Sequence, residues 1–166
     1  MRFNVIHQMV QINIETVIMF GDVASSVRKA FDENGSGGCS LICETEDGER
    51  VIFEPAGTLS NLAVALKTVR KVFRRLKVAR YVRVTRYWIG SADASIHPLE
   101  NANFREGIMI LSVDNTSVRM RSIAEIKRSA DGKVTLGPWG PIEISDGWRY
   151  GLVELVRGCR GWNLSR

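Results

Sequence analysis

The strongest periodic signal in the chain is the set Leu62, Leu66, Val69, Phe73 and Leu76, spaced by four, three, four and three residues. That spacing lays one narrow apolar stripe along a helix of about four turns, and Thr58 or Ser60 stands where a cap belongs. Elsewhere the pattern is strand-like. Residues 40–45 and 49–54 flank Asp47-Gly48, a hairpin signal. Residues 81–89 alternate. Residues 106–113 and 118–128 are joined by a turn at Asp114-Asn115-Thr116-Ser117, and Asp131-Gly132 turns the chain into 133–136. Gly137-Pro138-Trp139-Gly140-Pro141 reads as a rigid loop before a short strand at 142–144. Trp148, Leu152, Leu155 and Val156 predict a short C-terminal helix.

At the other end, Ile12 and Ile14 alternate with Asn13 and Glu15, so residues 1–20 are expected to be strand. Asp22 then has the character of an N-cap for a helix that carries Val23, Val27, Ala30 and Phe31 and stops at Gly35. Strands outnumber helices and hairpins dominate. The expected fold is α+β, a largely antiparallel sheet of about six to eight strands with two or three helices packed on it. A chain of 166 residues suits a single domain over 1–166.

Composition narrows the class. With 45% hydrophobic and 25% charged residues the chain can bury a core and does not read as disordered. Its longest apolar runs, 17–20 and 108–111, are too short to cross a bilayer. The first residues lack the continuous apolar core of a secretion signal. Three cysteines, Cys39, Cys43 and Cys159, make an odd count without regular spacing, which points to a reducing, cytoplasmic setting rather than a disulfide framework. The net charge of +5 suits nucleic acid, an anionic surface or an acidic protein as partner.

That charge is unevenly placed. No Asp or Glu occurs between Glu54 and Asp93, and the stretch from Lys67 to Arg86 is densely basic. On the predicted helix, Lys67, Lys71, Arg74 and Arg75 fall opposite the apolar stripe, with Arg70 and Lys77 flanking it. A solvated helix face usually mixes signs, because opposite charges four residues apart stabilise it. On the following strand, Tyr81, Arg83, Thr85 and Tyr87 share one face, and Val82, Val84, Arg86 and Trp88 share the other. The first set is expected outside. Aromatics there can stack on unpaired bases while arginines meet phosphates. The same residues suit an acidic protein surface, and an ordinary solubilising face with tyrosines covering a sheet edge remains the bland alternative.

Catalytic candidates are sparse. Asp114 followed by Glu125-Ile126-Lys127 resembles the metal-dependent nuclease pattern of an Asp followed by Glu-x-Lys, which would imply Mg or Mn. If Asn115-Thr116 is the centre of a two-residue hairpin, Glu125 lies roughly 26 Å from Asp114, which is then a turn residue. The same register sets Glu106 opposite Glu125 with Lys127 on the same face. Such a pair needs a cation between its members, a metal or a basic side chain, and a one-residue slip erases it. Cys39 and Cys43, if extended, lie about 13 Å apart and cannot share a zinc; they read as buried thiols. His7 and His97 have no nucleophile nearby in sequence. Gly35, Gly37 and Gly38 do not form a phosphate loop, since no Gly-Lys-Ser/Thr follows. Trp139 and Trp148 read as core or loop anchors.

The stretch from Tyr81 through Trp88, His97-Pro98, Glu106-Gly107-Ile108-Met109 and Leu136-Gly137 resembles uncharacterised small proteins encoded in phages and prophages, over about the C-terminal half. The resemblance implies no activity. It implies an accessory role, such as binding host nucleic acid, sequestering a small anionic nucleotide or inhibiting a host protein. The reading is a non-enzymatic binding protein without a membrane partner. It grips a polyanion, nucleic acid first among them, through Lys67, Lys71, Arg74, Arg75, Tyr81, Arg83 and Tyr87. A host-protein inhibitor and a metal-dependent nuclease using Glu106, Glu125 and Lys127 are the alternatives.

Overall fold

In the computed structural model, the described residues are 12–37, 40–53, 62–90, 105–116 and 118–146, with the backbone alone for 62–68, 88 and 146. They form two helices and one seven-stranded antiparallel sheet. Helix α1 spans Ile14–Asn34 and helix α2 spans Leu62–Leu76. The strands are β1 (Ser40–Thr45), β2 (Arg50–Phe53), β3 (Val78–Ile89), β4 (Arg105–Val113), β5 (Val118–Arg128), β6 (Val134–Trp139) and β7 (Glu143–Asp146). The sheet order is β2-β1-β3-β4-β5-β6, and β7 also pairs with β5. No helix among the described residues is long and apolar enough to cross a membrane.

The first element differs from expectation. Residues 14–20 belong to α1, not to a strand, and Asp22 lies inside the helix rather than at its start. The N-cap is Asn13, whose side chain accepts from the Glu15 N–H at 3.0 Å. Thr16, Met19, Phe20, Val23, Val27 and Phe31 form its buried stripe. Gly35 ends it in the left-handed region at φ 65°, with its N–H on the Phe31 carbonyl.

The two helices lie on opposite faces of the sheet. Strand side chains alternate between faces, and the contacts separate cleanly. Alpha-helix α1 packs on Val82, Val84, Ile108, Ile110, Ala124 and Leu136. Val69, Phe73 and Leu76 of α2 pack with Cys43, Tyr81, Leu111 and Val113. Each large side chain buried in these cores contributes roughly 1.5–3 kcal/mol. One residue, Lys77, joins α2 to β3. It holds φ 52°, its N–H donates to the Arg74 carbonyl, and its own carbonyl accepts from Glu46.

Two other departures are local. Residues 137–139 are the end of β6, not part of a loop. Ala124 pairs with Trp139 while Ile126 pairs with Leu136, so β6 carries one extra residue in a bulge at Gly137-Pro138. A β-carbon at Gly137 would stand 3.2 Å from the Glu125 carbonyl oxygen. Pro138 is tolerated because β6 is an edge strand. Trp139 anchors the bulge, donating from Nε1 to the Ala24 carbonyl at 3.2 Å. The expected caps Thr58 and Ser60, the C-terminal helix, Cys39, Cys159, His7, His97 and Trp148 lie outside the described residues.

Candidate anion-binding surface

The acid-free stretch of sequence becomes two surfaces of different character, because β3 sends alternate residues to opposite faces. On the α1 side its arginines are compensated by acids from elsewhere. Arg80 is held by Glu44 of β1 and Glu15 of α1. Glu44 also accepts from Arg50, which reaches Asp22 at 2.8 Å. Arg86 pairs with Glu106. A run that looks purely cationic in one dimension is therefore neutralised on this face by acids of the neighbouring strands and of α1.

The α2 side differs. Arg70, Lys71 and Arg75 are exposed on the helix, Lys77 is exposed at its end, and Arg83 is exposed on β3. Lys71, Arg75, Lys77 and Arg83 form no ion pair with any described residue. Arg74 is half-buried and has interactions within the protein. Lys67 lies on the α2 backbone, with its side chain outside the described set.

Tyr81 corrects an expectation. It shares a strand face with Arg83 and Tyr87, but that face carries α2, and Tyr81 is 1% exposed beneath it. Its ring packs edge-on to Phe73 at 5.6 Å between centroids. Tyr87, six residues further along the strand, is 37% exposed. Only one of the two tyrosines is therefore available at the surface.

The nuclease-like arrangement does not form. The β4–β5 register pairs Gly107 with Glu125 and Ile108 with Ala124. It is one residue out from the register that opposes Glu106 and Glu125, so these carboxylates fall on opposite faces. The turn explains the slip. The Asp114 Oδ1 accepts from the Thr116 N–H at 2.8 Å, and Thr116 Oγ1 accepts from the Val118 N–H at 3.2 Å. These side-chain bonds lengthen the connection beyond a two-residue hairpin. Asp114 is a turn residue as expected, and it is also buried, where its Oδ2 accepts from Thr16 Oγ1 at 2.7 Å.

Each glutamate has its own basic partner. Glu106 takes Arg86 and, at 2.7 Å, Arg128. Glu125 takes Arg105 at 2.8 Å. The hydrogen bond from Arg128, with the charges of Arg86 and Arg128, holds the Glu106 carboxyl below its usual value against the opposing effect of burial. Lys127 remains on the Glu125 face, beside Gly137. Among the described residues no group of three or more His, Cys, Asp or Glu could hold a metal. Cys43 is a buried free thiol whose pKa burial pushes up to about 12.

Compared with protein-family models, with curated proteins and with solved structures, the chain matches none of them.

Proposed function

We propose that this is a non-enzymatic binding protein that holds a polyanion, nucleic acid or a nucleotide, on its α2 side. One observation carries the reading: the cations of this sequence segment are paired with acids on the α1 side, whereas Lys71, Arg75, Lys77 and Arg83 on the other side make no ion pair with described residues. Phosphates would neutralise these side chains and release condensed counterions. The resemblance to small phage-encoded proteins fits such an accessory role.

The test is binding of labelled oligonucleotides across a salt series. Wild-type affinity is expected to fall steeply with salt. Lys71→Glu/Arg75→Glu is expected to make the slope shallower by about two, one for each lost phosphate contact. No detectable binding of single- or double-stranded nucleic acid at low salt sinks the proposal. A complex with a host protein that survives nuclease treatment and moderate salt would instead favour an inhibitor.

A further inference from the structure

Resting on the polyanion reading, we infer that the ligand is a single-stranded nucleic acid, with bases lying on the sheet face that carries Arg83 and Tyr87, and Tyr87 as the stacking ring. Among the described side chains, α2 meets this face at Tyr81, Leu111 and Val113, and the next residues of β3 on that face are Arg83, Thr85 and Tyr87. Their β4 partners are Leu111, Met109 and Gly107. Ile123 of β5 lies beyond Met109. Met109 and Ile123 are half-buried, and Tyr87 is exposed.

Gly107 shapes this region. Directly across from Tyr87, it provides no side chain to shield the ring. A β-carbon there would stand 2.8 Å from Ile89 Cδ1, so Ile89 lies over the glycine. Tyr87, Ile89, Met109 and Ile123 thus make a shallow apolar shelf, with Arg83 on the side nearer α2. Among the described residues, the acid on this part of the face is Glu125, which is occupied by Arg105.

The shelf separates ligand classes by shape. It accepts flat apolar faces while Arg83 and the α2 cations meet phosphates, which is the combination that single strands require. A duplex hides its base faces in the stack and shows only base edges in its grooves, which a flat sheet face cannot enter. An acidic protein supplies the charge but not a run of planar rings.

The experiment compares three probes at one salt concentration: a mixed-sequence single strand, the same sequence as duplex, and poly-glutamate. The single strand is expected to bind most tightly. Tyr87→Thr, which retains strand propensity, is expected to weaken it about tenfold and leave the duplex unchanged. Tyr87→Phe keeps the ring and should bind as wild type. The salt slope should survive Tyr87→Thr but fall by about one in Arg83→Ala. Thermal melts of each variant identify any loss due to unfolding, and if Tyr87→Thr is unfolded the Arg83→Ala slope and the probe ranking decide. Equal binding of single strand and duplex, or a Tyr87→Thr variant that binds as wild type, overturns this inference and leaves the polyanion reading intact. Poly-glutamate binding as tightly as the single strand also overturns it. Failure of every probe removes both.

Discussion

Glu106 illustrates how much a single residue's meaning depends on register. Read as half of a carboxylate pair, it called for a cation, a metal or a basic side chain, between itself and Glu125; placed one residue away, it is the centre of an ion cluster with Arg86 and Arg128. Its carboxyl is held below the usual value of 4.5 mainly by the Arg128 hydrogen bond. The folded state therefore keeps it ionised more strongly than the unfolded chain does. Its contribution is complete above the ordinary carboxylate range and is lost as pH falls through the lowered value. Glu106→Gln is expected to be less stable than wild type at neutral pH, with the gap closing as the solution is acidified below about 4.5. Urea unfolding of both proteins across that range reads the gap, and a constant gap would assign the effect to packing alone. Register was not legible here because the side chains of Asp114 and Thr116 set the turn length. The Asp114 turn itself was legible, since Asp at that point is a local signal.

At the scale of elements, strands and hairpins were more legible than the first helix. The Asp47-Gly48 hairpin and the α2 helix rest on short-range rules, and both are found, with Val69, Phe73 and Leu76 of the expected stripe packed in the core. Helix α1 was hidden by its own surface. Ile14 and Ile18 are 68% and 56% exposed, so apolar residues on the solvent side blur the buried stripe. Ile14, Thr16, Val17 and Ile18 are β-branched and favour strands. Gly21 beside Asp22 then looks like a break. It lies instead in the helix interior on the exposed side, where an added β-carbon meets nothing within 4 Å. Gly21→Ala is accordingly expected to stabilise the protein by about 0.5–1 kcal/mol. Chemical denaturation checks it; a destabilised variant would mean that the position needs its glycine.

For the whole molecule, the α+β class and antiparallel sheet could be read from the sequence, but the placement of one helix on each face could not. That placement depends on which side of β3 each helix reaches, a matter of long-range pairing. It also decides the candidate surface, because it buries Tyr81, exposes Tyr87 and sorts the arginines of β3 into compensated and uncompensated sets. A net charge of +5 spread evenly would attract anions from any direction. Here the two sides are unequal. Lys71→Glu and Lys29→Glu remove the same charge, one from each side of the sheet. Oligonucleotide affinity is expected to fall markedly for Lys71→Glu and little for Lys29→Glu, which sits in α1 beside Glu33. Equal losses in the two variants would mean that overall charge, not this surface, sets binding.

The single-residue joint at Lys77 has a mechanical consequence. With no loop between α2 and β3, and with both Lys77 backbone groups engaged, the helix has little freedom to slide or roll against the strand it precedes. The backbones that carry the α2 cations and Arg83 are therefore coupled through a single residue. A ligand that spanned them would meet backbone positions already set by folding, so little backbone entropy would be lost on contact.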